Sequence, residues 1–548
     1  MRAIVRTLLL GVSSIGTAAI AQMPLDQANT AIIQRDSAPP LPSQTDKRIQ
    51  IDADLAAVAP VSAAPDAGIF IGAIRVNGAA VIPVSAFSAA IEPFIGRTLT
   101  NADLANVARA VADVARARGY RFASAFVGAQ SLSLGVLTIT LDEGAITQVR
   151  VIGTNNRQLL KLLKPLAGKP RHYDEIERQL LLIADTPGLT LQRIQYAREG
   201  RSAYLTVTVS EDRFDGRAGF DTLGTRSIGP VRAVGSVNFA STLISGDQIS
   251  LQAAATPVDP NELAFVALRY ALPVDADGTV VAASIALGRS QPGGFLQQFD
   301  TVGHSQNYAL SVSHPLIRSR KTSVALSSGF DYLNSRQRLT GFGVREDRIA
   351  TAWVALGSNT QFWGGLLRSD VTITQGLNIL GATQRGAVKS SRPDAPSQFT
   401  KASLSAEWTR TLFAPLSVRL AAMSQFSTQA LLAEQELGIG GPRFGRGYGY
   451  SERSGDKGAL GSFELRSDFN NLAKWLNWVQ PYAFFDGGKV INLANGIGDG
   501  TLTSGGGGVR ARLGKIDLGI ESAFPINADR FDSNNRAPRY NLQLSTRF

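Results

Sequence analysis

The sequence ends on the stretch YNLQLSTRF at residues 540–548. Its apolar and polar residues alternate, and successive side chains of a β-strand point to opposite faces. One face of this strand is therefore apolar and the other polar. Similar alternating segments, separated by Gly, Asn, Asp and Ser, recur upstream at residues 308–313, 323–328, 351–356, 403–408, 417–423 and 482–486.

This dyad pattern is typical of a transmembrane antiparallel β-barrel, in which lipid-facing and lumen-facing positions alternate. The pattern begins near residue 213, and residues 213–548 are long enough for about 16 strands at roughly 20 residues per strand and connection. A soluble β-sandwich or propeller would need a stronger core pattern or a repeating blade motif. We therefore predict an outer-membrane β-barrel over residues 213–548.

Composition excludes several classes of site. The chain of 548 residues has no cysteine, so it has no disulfide, no thiol nucleophile and no cysteine metal site. His172, His304 and His314 are the only histidines and lack metal-ligand spacing. We expect no catalytic residue, cofactor or metal. The net charge of +11 would suit nucleic acid, but the basic residues are dispersed, which favours a solvated surface facing anionic headgroups.

The N-terminus predicts export. Arg2 and Arg6 precede a short apolar run, and Ala19-Ile20-Ala21 forms a small-x-small cleavage site, so residues 1–21 are interpreted as a signal peptide. A membrane anchor is the weaker alternative, because the apolar run is too short to span. Residues 22–67 combine a possible helix at 25–36 with a Pro- and Ala-rich linker. The helix is either a movable element or part of a disordered leader.

Residues 68–212 contain an internal repeat. The segment IRVNG at 74–78 returns as VRVIG at 149–153, and LTITLDE at 137–143 returns as LTVTVSE at 205–211. The residues between these strands have helical periodicity, so each copy reads β-α-α-β-β. We predict two α+β units, at 68–144 and 145–212.

The helices of the two units show clear spacing. In the first copy the apolar positions are Leu104, Val107, Ala108, Val111, Val114 and Ala115, with Asn101 as the expected N-cap and Gly119 as the expected stop. In the second copy Ile176, Leu180 and Ile183 follow the same rule.

Glycine is concentrated at residues 438–450, GIGGPRFGRGYGY. This density requires positive φ angles or close backbone packing, so an ordinary strand is excluded. Strand-like segments at 417–423 and 462–468 flank it. We interpret it as a long ordered loop with Arg446 at its tip; a plain surface hairpin loop is the alternative.

An acidic residue on a predicted barrel strand requires a cation. Tyr482, Phe484 and Asp486 share one face of their strand. A carboxylate on the lipid face would be costly, so Asp486 is expected in the lumen. Arg446 could fold inward and bind Asp486 through bidentate hydrogen bonds, which would hold the loop in the pore. Solvation of Asp486 by channel water is the alternative.

These segments resemble one family. ARARGYRFASAFV at 115–127 and GVLTITLDEGAI at 135–146 resemble a POTRA domain of two-partner secretion transporters. Gly445-Arg446-Gly447-Tyr448 is similar to that superfamily's Val-Arg-Gly-Tyr loop motif, with a glycine for valine that should loosen the tip. Phe484-x-Asp486-x-Gly488 resembles its Phe-x-Asp-x-Gly strand, and terminal Phe548 resembles the signal for assembly of outer-membrane barrels.

The resemblance implies a monomeric outer-membrane pore with two periplasmic POTRA domains and an N-terminal helix that occupies the lumen at rest. Its partners would be an unfolded secreted exoprotein bound by β-augmentation, outer-membrane lipid, and the barrel-assembly machinery during biogenesis, with no nucleic acid. It would not be an enzyme. The alternative function is a barrel-assembly insertase of the same superfamily; a diffusion porin would explain neither the repeats nor the loop.

Overall fold

The structure is a computed structural model that describes residues 29, 31–32, 51–53, 68–199, 202–225 and 228–548. The expected signal peptide at residues 1–21, most of the N-terminal helix and most of the linker lie outside the described residues. Two α+β units are followed by a closed β-barrel, in the predicted order.

The first unit is built around the central strand β6. Its strand β3 pairs with β6 in parallel and β5 pairs with β6 antiparallel, while β2 and β4 form a separate ribbon. The three strands of the main sheet and the two helices follow the expected β-α-α-β-β order, and the first helix is a single turn. The ribbon strands are additional: β2 precedes this series and β4 lies between the two helices. The elements are β2 Ile69–Ile71, β3 Ala73–Asn77, α1 Ser88–Ile91, β4 Arg97–Leu99, α2 Asn101–Ala117, β5 Ser124–Phe126 and β6 Val136–Asp142.

Helix α2 begins one residue earlier than the sequence suggests. Its N-cap is Thr100, and Asn101, the expected cap, is the first helical residue. Thr100 and Asp103 form a capping box, in which the backbone N–H and hydroxyl of Thr100 donate to Asp103 at 2.9 and 2.7 Å and lower its pKa. The carboxylate at the third helical position therefore decides the boundary. Gly119 follows the helix with a φ of +93°, as a stop residue should.

The second unit repeats the first. Gly78 and Gly153 hold equivalent positions after the parallel strands, both with positive φ. A Cβ on either would lie within about 2.2 Å of a backbone carbonyl oxygen, of Leu141 and Val209 respectively. Close strand packing thus explains why the glycine recurs. The elements are β7 Gln148–Ile152, α3 Arg157–Leu163, α4 Tyr173–Asp185, β8 Leu189–Glu199 and β9 Ser202–Glu211.

One strand of the second sheet comes from far away in the chain. The sheet order is β1-β8-β9-β7, where β1 is Ile51–Ala53. The linker therefore contributes a strand, which the sequence did not indicate. Ile176, Leu180 and Ile183 of α4 are buried in the core of this unit, as their spacing predicts.

The two units pack through aromatic rings. The ring of Phe122, from the first unit, stacks on Tyr196 of β8 with centroids 4.1 Å apart, and it belongs to the second unit's core. Burial raises the pKa of Tyr196 to about 12. Arg198 donates to Ser124 of β5 at 2.6 Å and contacts Asp142. The two units are thus joined by a packed contact as well as by the chain.

The barrel is closed by pairing of its first and last strands, β10 and β28. Segments β23 and β24 are one strand interrupted at Asp468, so the 17 named segments make 16 antiparallel strands. The segments are β10 Phe214–Asp221, β11 Arg232–Ala240, β12 Gln248–Ala255, β13 Leu263–Pro273, β14 Val280–Ser290, β15 Val302–Arg318, β16 Thr322–Leu339, β17 Phe342–Phe362, β18 Gly365–Leu377, β19 Thr400–Phe413, β20 Leu416–Ser427, β23 Lys457–Ser467, β24 Phe469–Ala473, β25 Leu476–Ile491, β26 Gly500–Leu513, β27 Ile516–Pro525 and β28 Arg539–Arg547.

Side chains alternate between the two barrel faces as the dyad pattern requires. In β25 Phe485 is exposed outside while Phe484 and Asp486 are buried inside, and in β28 Leu542 faces out while Asn541 is buried. Outward positions are therefore apolar and inward positions polar. Among the described residues, no helix has both the length and the apolar character to cross a membrane.

The two ends of the barrel differ. Short turns, such as 363–364 and 514–515, join strands at one end, and long loops, such as 378–399 and 428–456, join them at the other. The second α+β unit lies against the short-turn end. There Arg318 of β15 donates to both carboxylate oxygens of Asp185 in α4, at 2.6 and 2.8 Å.

Candidate functional site

The loop 428–456 folds back into the barrel. Its base is a short ribbon of β21 Leu437–Ile439 and β22 Arg453–Gly455, so part of the glycine-rich segment is strand after all. Beyond the ribbon, Phe444 and Tyr448 pack with wall residues such as Leu460 and Leu502. Apolar contact with the wall therefore holds the loop inside the lumen.

The turn at the loop tip depends on its glycines. Gly445 has a φ of +75°, its carbonyl accepts from Tyr448 N–H at 2.9 Å, and its N–H donates to Asp486 at 3.0 Å. A Cβ on Gly447 would lie 2.8 Å from the backbone nitrogen of Pro525. Glycine at 445, where the resemblance suggests valine, therefore fits a left-handed, anchored position instead of loosening the tip.

Arg446 lies among three carboxylates. Its guanidinium donates to Glu521 Oε2 at 3.0 Å and to Glu464 Oε2 at 2.9 Å. Its Nε is 3.1 Å from Asp486 Oδ2. We call Arg446, Glu464, Asp486 and Glu521 the Arg446 cluster. All four are buried, and the guanidinium carbon lies 4.0 Å from the centre of the Phe484 ring.

Asp486 meets Arg446 in a different geometry from the expected one. Its Oδ1 accepts the backbone N–H groups of Gly445 and Arg446 at 3.0 and 3.3 Å and a short hydrogen bond from Ser504. The Nε contact with Oδ2 is close but is not aligned as a hydrogen bond. The fork of the guanidinium instead bridges Glu464 and Glu521. Asp486 thus binds the loop backbone, while its neighbours bind the side chain.

The cluster extends along the lumen. Arg510 donates to Glu464 Oε1 at 2.8 Å, and Arg466 does so at 2.6 Å. The Tyr482 hydroxyl donates to Glu521 at 2.8 Å. Three arginines therefore face three carboxylates, which balances the buried charge.

Glu521 is a cluster residue that sequence reasoning misses. Its signal is positional, because Ile520 and Phe524 of β27 are exposed on the outer face and Glu521 must therefore face the lumen. The alternation of inward and outward side chains that predicted a lumenal position for Asp486 also predicts one for Glu521.

The other predicted motif residues occupy defined places. Tyr448 is fully buried, and its hydroxyl lies 3.1 Å from Asn527 Oδ1. Gly488 lies in β25 opposite Leu460, where a Cβ would be 2.4 Å from the Ala459 carbonyl oxygen. Phe548 exchanges backbone hydrogen bonds with Gly216 where β10 and β28 close the barrel, and its side chain is half exposed. The assembly role of Phe548 stays a prediction.

A second buried arginine ties the long loops together. Arg392, in the loop 378–399, donates at 2.9 Å to both Glu436 and Asp456, and also binds the Leu493 carbonyl. We call Arg392, Glu436 and Asp456 the Arg392 clasp. It links three loops at the long-loop end, and no sequence motif pointed to Arg392.

A short N-terminal segment lies inside the barrel. Ala31 and Ile32 are helical and buried, and Asn29 donates from Nδ2 to Glu434 at 2.7 Å. Ser335 of β16 donates to Asn29 at 3.3 Å. These described residues of the N-terminal helix therefore contact both the wall and the inward loop.

Comparisons with known proteins agree with this architecture. The family model described as haemolysin secretion/activation protein ShlB/FhaC/HecB matches residues 200–511, and the ShlB-type POTRA domain model matches residues 69–144. The outer membrane transporter CdiB of Escherichia coli is 26% identical over 481 residues, covering 83% of this chain and 79% of the relative. The heme/hemopexin transporter protein HuxB of Haemophilus influenzae is 21% identical over 392 residues, covering 69% and 68%.

The solved structure of CdiB from Escherichia coli has the same fold, with a TM-score of 0.72 over 98% of this chain and 100% of that one, at 21% identity. The insertase alternative is not favoured, because the matching family model is described as a secretion/activation protein and the curated relatives are named as transporters. The family model covers more than half of the chain. The chain therefore belongs to the haemolysin secretion/activation protein family ShlB/FhaC/HecB, the two-partner secretion transporters of the bacterial outer membrane.

Proposed function

We propose that this outer-membrane transporter binds an unfolded exoprotein in the periplasm through both α+β units and passes it through the barrel under the control of the loop 428–456. The proposal assigns POTRA domains to residues 68–144 and 145–212, a signal peptide to 1–21, a helix and linker to 22–67, and the barrel to 213–548. One observation carries it: a long loop folds into the lumen and ends on the Arg446 cluster.

The physical argument starts from the cost of burying charge. Four charged groups held in a narrow lumen persist only if each is paired, because an unpaired buried charge costs several kcal/mol. Arg446 supplies the loop's side of this pairing, and three different barrel strands supply the carboxylates. Loop position and wall geometry are thus coupled. The residues with a proposed role are Gly445, Arg446, Gly447, Tyr448, Phe484, Asp486, Gly488 and, for assembly, Phe548.

Replacement of Arg446 by alanine tests this role. Arg446→Ala removes the guanidinium that faces buried Asp486 and Glu521 and one of the three that contact Glu464. We therefore expect release of the exoprotein to the medium to fall about tenfold or more while the barrel still assembles. The matched control is Arg443→Ala, in the same loop but exposed. Heat-modifiable migration of the barrel measures assembly. Normal release by Arg446→Ala would remove the proposed role.

Deletion of residues 69–210 tests the function as a whole. We expect one large exoprotein to disappear from the medium while other outer-membrane barrels assemble normally. A general loss of barrels with a leaky envelope would instead identify an assembly factor. The chemistry of the client is that of an extended polypeptide, which periplasmic strand edges can bind.

The remaining partners follow from the same proposal. Outer-membrane lipid surrounds the apolar outer face, the barrel-assembly machinery inserts the chain, the transporter acts as a monomer, and it binds no nucleic acid. It has no catalytic site and no cofactor of its own. A hydrolase assay on the purified protein checks the absence of catalysis, and sedimentation in detergent checks the monomer.

A further inference from the structure

The linker strand occupies the edge of the second α+β unit. Strand β1 pairs in parallel with the middle of β8, with Ile51 opposite Ile194, Asp52 opposite Gln195 and Ala53 opposite Tyr196. The other side of β8 is paired with β9. Without β1, strand β8 would therefore present a free row of backbone donors and acceptors, which is a template for strand addition.

The cover is short. Within the described part of the linker, strand β1 has 3 residues, whereas β8 has 11. Among the residues that the structure describes, no other strand pairs with this edge of β8. A longer extended chain could form more backbone hydrogen bonds along β8 than β1 does. The linker strand is therefore a weak occupant of a longer binding edge.

The side chains of β1 show which side-chain pattern a strand needs in order to bind to this edge of β8. Ile51 packs against the core of the unit, beside buried Ile194. Asp52 points to the other face, where its carboxylate lies 3.3 Å from Nε of Arg193. An occupant should therefore be an extended polypeptide that alternates apolar and polar residues, with an acidic residue near Arg193.

The edge continues toward the first unit. Arg198, near the end of β8, donates to Ser124 of β5, and β5 is an edge strand of the first sheet. The stack of Phe122 on Tyr196 fixes the two sheets relative to each other. A single extended segment could thus follow both edges.

We propose that this edge of β8 is the docking edge for an extended segment of the secreted client, and that Ile51–Ala53 is an internal competitor which the client displaces. The inference rests on the proposed function. Before a client arrives, the linker strand covers an edge that would otherwise promote aggregation. The client displaces the three residues of β1 that pair with β8 and forms a longer series of backbone hydrogen bonds with β8.

A reversible disulfide between β1 and β8 tests whether β1 competes with the client for this edge. The chain has no cysteine, so Asp52→Cys combined with Gln195→Cys creates a single possible disulfide. Paired strands lie about 4.8 Å apart, within the range of about 4.4–6.8 Å that disulfides span between Cα atoms. In the full chain in cells, we expect the oxidised double variant to release about tenfold less exoprotein, and added reductant to restore release. Each single-cysteine variant is a control and should release normally.

A second variant removes the competitor without a cross-link. Replacement of Ile51, Asp52 and Ala53 by glycine should keep release at or above the level of the unmodified chain, because the edge is then free. Normal release by the oxidised double variant, verified as disulfide-bonded on a non-reducing gel, would overturn the competition, as would loss of release by the glycine variant. If the unmodified chain and its 69–210 deletion release the same proteins, the proposed function itself fails.

Discussion

At the scale of single residues, Arg446 shows why arginine and lysine are not interchangeable at this site. Its planar fork reaches Glu521 with one nitrogen and Glu464 with another, while Nε faces Asp486. A lysine ammonium keeps the charge but cannot contact three separate carboxylates in this geometry. The loop tip therefore depends on the shape of the cation as well as its charge.

We expect Arg446→Lys to retain the folded barrel and to lose most of the exoprotein release, between Arg446→Ala and the unmodified chain. The retained charge offsets part of the cost of leaving buried Asp486 and Glu521 without the Arg446 guanidinium, which for full loss of a partner is about 3–5 kcal/mol. Release to the medium and the temperature at which the barrel unfolds in detergent measure the two effects. Equal release by Arg446→Lys and the unmodified chain would show that charge alone suffices.

Tyr196 carries a second prediction at this scale. Its buried hydroxyl has no hydrogen-bond partner among the residues that the structure describes, and its ring stacks on Phe122. Removal of the hydroxyl in Tyr196→Phe should therefore raise the free energy of unfolding of the second unit by about 1 kcal/mol. Pulse proteolysis of the full chain in urea measures this. A lower stability would mean that the hydroxyl has a partner after all.

The same residue predicts a pH dependence. The pKa of Tyr196 is about 12 in the folded chain, above the ordinary value of about 10. Between these values the unfolded chain releases the phenolic proton and the folded chain keeps it, so stability falls as pH rises from 10 to 12. We expect the second unit to lose stability over this window, and Tyr196→Phe to lose less. Parallel curves for the two proteins would contradict this.

At the scale of elements, the long loops are joined by the Arg392 clasp. Arg392 is buried, and Asp456 also accepts the backbone N–H groups of Leu431 and Leu493, each at 2.6 Å. Three loops thus share one charged centre. They can separate at the long-loop end only if this centre comes apart or moves as a unit.

We expect Arg392→Ala to loosen the loops and to leave the barrel wall intact, because the clasp lies beyond the ends of the strands. The variant should show faster proteolysis within 378–399 and a larger current in planar bilayers. Arg385→Ala, which changes an exposed arginine of the same loop, is the matched control. Identical currents for Arg392→Ala and the control would show that the clasp does not restrict the pore.

At the scale of the whole molecule, the sequence predicted what regular patterns determine. Dyad alternation predicted the barrel, and helical periodicity with repeated strands predicted both α+β units. The loop geometry could not be predicted in the same way. The Arg392 clasp joins loops that are distant in sequence, Asp486 binds backbone N–H groups, and β1 joins a sheet more than a hundred residues away. Such contacts depend on tertiary distances that no local period records.

The contact between the second unit and the barrel supports a final prediction at this scale. Arg318 and Asp185 form a two-point ion pair that is largely shielded from solvent, and Arg320 lies 2.5 Å from Glu177 beside it. A shielded, two-point pair holds orientation better than an exposed one, and salt screens it less. The ion pair therefore fixes how the second α+β unit, and with it the edge of β8, is oriented relative to the barrel.

We expect Asp185→Arg to detach the second unit from the barrel turns, because it faces Arg318 with a like charge at short distance. The reversed pair, Asp185→Arg with Arg318→Asp, should restore most of the contact, since the two positions then attract again. Cross-linking between α4 and the turn 319–321, together with exoprotein release, measures docking and function separately. If the single variant docks and releases normally, orientation of the unit is set by other contacts, such as the hydrogen bond at 3.0 Å from Arg178 to the Pro315 carbonyl.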